Sequence, residues 1–348
     1  MGVWVESADP WLVLSGSAGG RAELHAEARL LLGARFSAVE LDRRKQPAKC
    51  DPMSNEIDAG DFRYTGKGKL SLKKWITGLD KPLYRDKAHL GELLGEFQKE
   101  IDERQQQMYA QDKYAMLLVF QAMDAAGKDG TIKHVMSGIN PHGVEVTAFK
   151  RPSEEELDHD YLWRTTKALP GRGIVGIFNR SYYEEVLVVR VHPQILESQR
   201  LPGKALKDLP GLWQRRFEEI RNFEEHQEAN GMRIVKFFLH VSKQEQKKRF
   251  LERIDDPAKN WKFNSGDLKE RACWEAYTEA YQEAMAATAS KQSPWYIIPA
   301  DDKGNMRLLV SAAILSEMKR LHLAWPVLPK DQQETLAACR AELSKPET

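Results

Sequence analysis

Cysteine is scarce in this chain of 348 residues: Cys50, Cys273 and Cys339 are all there are. Three thiols, far apart and without a Cys-x-x-Cys pair, exclude a disulfide scaffold and a cysteine-built zinc site. Reduced thiols in a cytoplasmic protein are the simple expectation. Long apolar runs are missing too. The central run 115–120 is far too short to span a bilayer. No basic segment followed by an apolar one opens the chain, so no secretory signal is expected. Glu6 stands where a myristoylation site beginning Met1-Gly2 needs Ser or Thr. Neither sign of charge prevails: 52 Lys and Arg meet 51 Asp and Glu, a net of +1. That balance argues against a histone-like nucleic-acid binder and against an acidic disordered tail protein. No internal repeat and no low-complexity tract is present.

The length suits one large domain or two small ones. Residues 1–52 mix Gly, Ala, Ser and Arg without a sustained period and read as a weakly structured extension, with Met53 a candidate natural start. A basic stretch follows at 63–87, where eight Lys and Arg face Asp80 and Asp86 for a local net of +6. Residues 88–110 read as a helix. From there strands alternate with helices: strand 114–121, helix 128–139, strand 144–149, helix 153–168, strand 174–178, helix 211–229, strand 233–241, helix 243–254, helix 267–291, strand 295–299 and helix 305–321. Ser153 with Glu156 three residues on is a capping box. The alternation predicts an α/β fold, a three-layer arrangement with a parallel sheet covered on both faces. The domain is expected over 53–330, and the polar tail 331–348 is expected to fray.

The strongest local signal is 120–131, which follows an apolar strand and opens a helix: F-Q-A-M-D-A-A-G-K-D-G-T. That is the setting of a phosphate-binding loop. Small residues Ala125, Ala126 and Gly127 let the backbone approach a phosphate, and the amides of Asp129, Gly130 and Thr131 at the helix start can point at it. Lys128 adds positive charge. The usual pattern begins with Gly and ends in Ser or Thr after the Lys; here those positions hold Ala122 and Asp129. Asp124 is a carboxylate inside a loop built for anions. It makes sense as a Mg²⁺ ligand, because the metal reverses the local electrostatics; the alternative is a turn Asp bonding its own backbone. A second strand, ending at Phe178, leads into Asn179 and Arg180. Asn179 stands where a neighbouring strand supplies a metal- or water-orienting residue. Arg180 falls at the carboxyl edge of the sheet, where ligands bind, with a structural ion pair to Glu184 as the alternative.

Together these segments resemble the polyphosphate kinase 2 family. The matching stretches are M-D-A-A-G-K-D-G at 123–130, F-K-R-P-S at 149–153, F-N-R-S-Y-Y-E at 178–184, I-D-D-P-A-K-N-W-K-F at 254–263 and P-W-Y-I-I-P-A-D at 294–301. The likeness covers roughly 55–325, with 1–52 outside it. It implies a P-loop NTPase-like fold and reversible, Mg²⁺-dependent phosphoryl transfer between inorganic polyphosphate and nucleotides. It puts the loop Asp and Lys on Asp124 and Lys128, the second-strand metal residue and Arg on Asn179 and Arg180, and a helical lid on about 253–292. Asn at 179 resembles the subgroup that accepts both AMP and ADP, often called class III. A homodimer or homotetramer is implied, with adenine or guanine nucleotides as substrates, and neither nucleic acid nor membrane as partner.

The segment 236–271 carries ten Lys and Arg against six acids, a local net of +4. A basic arm over an anion site could close on a polyanion and shed water. Arg253, Lys262 and Arg271 are its candidate contacts; a solvated helical face with pairs such as Glu245–Arg249 is the plainer alternative. Lys150, at the end of the strand before Arg151, is a further phosphate candidate. Trp261, Trp274, Tyr277 and Tyr281 read as packing. His134, His142 and His159 show no ligand spacing. Two other functions compete: an ATP-dependent nucleotide or nucleoside kinase of the same architecture, and a non-catalytic polyanion or RNA binder. The basic stretches are expected to form one positive path leading to Lys128.

Overall fold

A computed structural model describes residues 54–345. The expected extension 1–52 lies outside the described residues. Six strands, β1 (Arg63–Tyr64), β2 (Ala115–Ala122), β3 (Val144–Ala148), β4 (Val175–Asn179), β5 (Met232–His240) and β6 (Trp295–Pro299), form one sheet in the order β1-β6-β5-β2-β4-β3. The helices are α1 (Lys87–Gln111), α2 (Lys128–Val135), α3 (Glu154–Leu157), α4 (Trp163–Lys167), α5 (Val188–Val191), α6 (Gly203–Leu206), α7 (Leu209–Ala229), α8 (Lys243–Asp255), α9 (Gly266–Ala272), α10 (Trp274–Thr288), α11 (Lys303–Lys319) and α12 (Lys330–Leu343). Among the described residues no helix is long and apolar enough to cross a membrane.

β2 to β6 run parallel, as the alternation requires. The sheet is not wholly parallel, however. β1 pairs antiparallel with β6, and the Arg63 side chain anchors it by donating to Glu317 at 2.8 Å and to the Lys291 carbonyl at 2.8 Å. All eight residues of β2 are buried, because helices cover both faces of a parallel sheet. α11 packs on α1, α2, β5 and β6; α7 and α10 pack together, with α7 on β5. Period-two alternation sends Lys236 and Phe238 of β5 to this second side, where Phe238 meets Tyr281 of α10.

Two expected helices differ. The 153–168 helix is two pieces, because Asp160 turns back to accept from the Leu162 amide at 2.8 Å and offers the backbone an alternative partner. Its capping box is present, Ser153 and Glu156 bonding each other's amides. The 267–291 helix is α9 and α10, parted at Cys273, whose amide makes a tight bond to the Glu270 carbonyl. The tail is not frayed: α12 is helical over good helix formers but buries no residue.

Lys236, counted from sequence among the cations of the basic arm 236–271, is a core residue. Its ammonium is fully buried, 2.5 Å from Glu224 and 2.9 Å from the Thr288 carbonyl. Removing one member of such a pair strands the other. Lys236→Met should therefore destabilise the fold by ~3–5 kcal/mol in urea titrations, and Lys236→Met with Glu224→Leu should recover most of it.

Candidate active site

The parallel register sets Phe120 of β2 beside Asn179 of β4, so both strands deliver their succeeding loops at the same height. After β2 the chain turns through 123–127 into α2. Gly127 has φ 106°, and a β-carbon there would lie 3.3 Å from the Met306 methyl. Ala125 takes φ 59°, left-handed for a residue with a β-carbon. Thr131 does not face the site: it is fully buried, and its hydroxyl and amide both donate to the Gly127 carbonyl. The loop is thus held from beneath.

Lys128 folds back so that its Nζ donates to the Ala122 carbonyl at 3.0 Å. Burial pushes its pKa down, Arg180 adds to that, and Asp124 and Glu184 oppose it. Arg180, at φ 66°, spans two carboxylates, 3.5 Å from Glu184 and 3.9 Å from Asp124. The expected alternatives for Arg180 therefore coexist: it pairs with Glu184 and also faces the loop. Glu184 raises the Arg180 pKa; burial in turn raises that of Glu184 against the pull of Arg180 and Lys128. Asn179 turns its amide to Asp129 at 2.7 Å. Asp124 thus has Arg180 as its neighbour, and Asn179 belongs with Asp129.

An open cavity of about 660 Å³ lies over the loop. Asp124 to Gly130 form its floor; Lys150, Arg151, Asn179 and Arg180 form one wall; Arg253, Lys259 and Lys262 close it from the α8–α9 arm. Of the arm's expected contacts, Arg253 and Lys262 are brought here and Arg271 is not. Arg271 bonds the Lys243 carbonyl and Gln246 and lines an adjoining cavity of about 410 Å³, whose walls also include Asp124, Lys128 and Arg180. The basic stretch 63–87 contributes nothing to the cavity wall. It runs instead past β6, where Trp75 donates to the Ile297 carbonyl and Thr77 to Asp301. Tyr277 and Tyr281 are buried but, with Trp274, also line the smaller cavity, and Trp261 is 78% exposed, with Lys262 against its ring.

A second cavity of about 580 Å³ shares Phe149, Lys150, Arg151 and Arg180 with the first; Pro152, Leu157, Val188, Val189 and Ile195 give it an apolar wall, beside the polar side chains of Arg164, Glu184, Glu185 and Glu197. Sequence reading missed it, because 182–199 forms short turns and helical fragments with no period to detect. It also missed Arg164, Gln246 and Arg249. Arg164 is buried and fastens the Lys150 carbonyl at 2.9 Å. Gln246 and Arg249 lie three apart on α8, and both reach the loop's carbonyls. The Glu245–Arg249 pair exists at 2.9 Å, but Arg249 is buried rather than solvated.

Residues 84–324 match the family described as polyphosphate kinase 2. The chain belongs to the polyphosphate kinase 2 family. It is 51% identical over 295 residues to the ADP-polyphosphate phosphotransferase of Rhodopseudomonas palustris, covering 83% of this chain and all of that one. It is 39% identical over 265 residues to the AMP/ADP-polyphosphate phosphotransferase of Meiothermus ruber, covering 76% of this chain and 94% of that one. The crystal structure of polyphosphate kinase 2 from Arthrobacter aurescens TC1 superposes with a TM-score of 0.71 at 35% identity, over 81% of this chain and 97% of that one. With the central sheet and its flanking helices, this family fold is P-loop NTPase-like, as the resemblance implied.

Proposed function

We propose that the two joined cavities hold the two substrates of one reaction: phosphoryl transfer between inorganic polyphosphate and a nucleotide. The single observation that carries this is the wall they share. Arg180 and Lys150 face both the cationic cavity over the loop and the apolar one beside it. A phosphate chain suits the first, and a base and ribose suit the second. The nucleotide's terminal phosphate then reaches Arg180 at the junction.

AMP and ADP both serve as acceptors in this reading. Guanine nucleotides and assembly as a homodimer or homotetramer are part of the same proposal. The attacking group is an ionised phosphate oxygen, so no general base is needed. Positioning and charge neutralisation carry the step. The loop amides and Lys128 hold the transferred group, and Arg180 orients the acceptor. Arg253, Lys259 and Lys262 close over the chain and exclude water, which makes 253–292 the lid.

The donor chemistry fits Mg²⁺. Among the described residues no three acidic, His or Cys side chains gather to hold a metal by themselves. Mg²⁺ commonly takes one or two carboxylates and fills its shell with phosphate oxygens and water. Asp124 is that carboxylate, with Asn179 and Asp129 nearby. When bound, the ion supplies neutralisation of charge on the phosphate oxygens.

Incubation with Mg²⁺, polyphosphate and AMP or ADP, without ATP, should yield newly phosphorylated nucleotide. ATP outperforming polyphosphate as donor would favour an ordinary kinase; salt-sensitive RNA binding without transfer would favour the binding module. Ser198 sits on the rim of the apolar cavity. Ser198→Trp should raise the KM for nucleotide by roughly tenfold or more through lost binding, while the KM for polyphosphate stays put.

A further inference from the structure

Arg249 lines none of these cavities, and its side chain is only 4% exposed. All five of its N–H donors are nonetheless engaged. Nε donates to Glu245 at 2.9 Å. Nη1 donates to the carbonyls of Ala125 at 3.2 Å and Ala126 at 2.7 Å. Nη2 donates to those of Ala300 at 2.7 Å and Asp301 at 3.1 Å. One turn earlier on α8, Gln246 donates to the Asp124 carbonyl at 2.9 Å. Three consecutive peptide planes of the phosphate loop are therefore gripped from behind.

In a trans peptide the carbonyl and the next residue's N–H point opposite ways. Holding the carbonyls of 124, 125 and 126 on α8 turns the amides of 125, 126 and 127 the other way. The amide of Ala126 bonds the Met123 carbonyl. Those of Ala125 and Gly127 have no protein partner among the described residues, and both residues line the cationic cavity. Ala125 is held in a left-handed conformation that alanine disfavours. The buried fork is what holds it there.

We infer that Arg249 is a positioning residue for the transfer. It acts through the loop backbone, aiming the Ala125 and Gly127 amides at a phosphate group of the chain. This rests on the proposed function and deepens it. Charge alone does not serve. A lysine at 249 carries the same charge but donates from one atom and cannot span the loop and the turn after β6 together.

The test is Arg249→Lys in the full-length chain. Far-ultraviolet circular dichroism should show the parent fold. Calorimetric titration with tripolyphosphate, without nucleotide, should show affinity lowered roughly tenfold, and kcat should fall roughly 30-fold or more, with the KM for nucleotide within about threefold of the parent. A merely structural role would shift the melting temperature and leave this split unmoved. A kcat and tripolyphosphate affinity both within about threefold of the parent would overturn the inference. If Arg249→Lys does not fold, Gln246→Met decides: kcat lowered by about fivefold at unchanged nucleotide KM supports it, and an unchanged kcat sinks it. A parent enzyme that binds tripolyphosphate but transfers nothing from polyphosphate would instead defeat the functional reading. The anion affinity of Arg249→Lys would then still judge the loop.

Discussion

Lys128→Met should lower kcat by roughly 10³-fold while the protein keeps its fold and its nucleotide affinity, measured by steady-state transfer from polyphosphate to ADP. The ammonium is tethered to the Ala122 carbonyl at the mouth of the loop, within the cavity that also carries Arg180, Arg253 and Lys262. A loose transition state spreads negative charge over the transferred phosphoryl oxygens, and a fixed cation in a half-buried site meets it without reorganising solvent. Methionine keeps the length and loses the charge. The pH dependence has a definite sign. Burial, aided by Arg180, holds the Lys128 pKa below that of an ordinary lysine. Activity that needs the ammonium is complete below this lowered pKa and falls as pH rises through it, earlier than an exposed lysine would titrate. Bound phosphate favours the charged form, so the fall should move to higher pH at saturating polyphosphate. A Lys128→Met enzyme within a few-fold of the parent would remove the loop from the mechanism.

Asp124→Asn should cost roughly 10²–10³-fold in kcat and should raise the Mg²⁺ concentration needed for half-maximal rate. The argument is electrostatic. A carboxylate on the floor of an anion cavity repels the substrate unless a cation stands between them. Its neighbour Arg180, 3.9 Å away, is already shared with Glu184 at 3.5 Å. Asparagine preserves shape and hydrogen bonding but removes the charge that retains the metal. If Asp124 were only a turn residue bonding its own backbone, the same substitution would leave the Mg²⁺ titration unchanged and would ease substrate binding. The two readings thus differ in the sign of the effect on polyphosphate KM.

Much of the candidate site was legible because phosphate chemistry needs particular residues at particular strand ends. The loop could be read from small residues between an apolar strand and a helix start. Arg180 could be read from its place after a second strand. The basic arm 236–271 was legible only as a group of charges. Among its cations, Arg253 and Lys262 reach the cavity, Arg271 turns to Gln246, and Arg249 goes under the loop. Nothing local separates these four, since a basic residue on an amphipathic helix looks the same whether it meets solvent, substrate or a carbonyl. The apolar cavity was invisible for a related reason: its lining comes from 149–164 and 180–199, irregular segments that converge only in three dimensions.

By itself the sequence determined the α/β class, the strand-to-helix loop that carries Asp124 and Lys128, and the place of Asn179 and Arg180 at the end of a later strand. Period and spacing encode those features locally. Tertiary structure alone decided which positive charges line the cavity. It placed Lys236 in the core against Glu224, led the basic stretch 63–87 past β6 and away from the cavity, and put Arg249 beneath the loop. The physical reason is that a charge's role is set by what faces it across the fold, and that partner lies tens to hundreds of residues away along the chain.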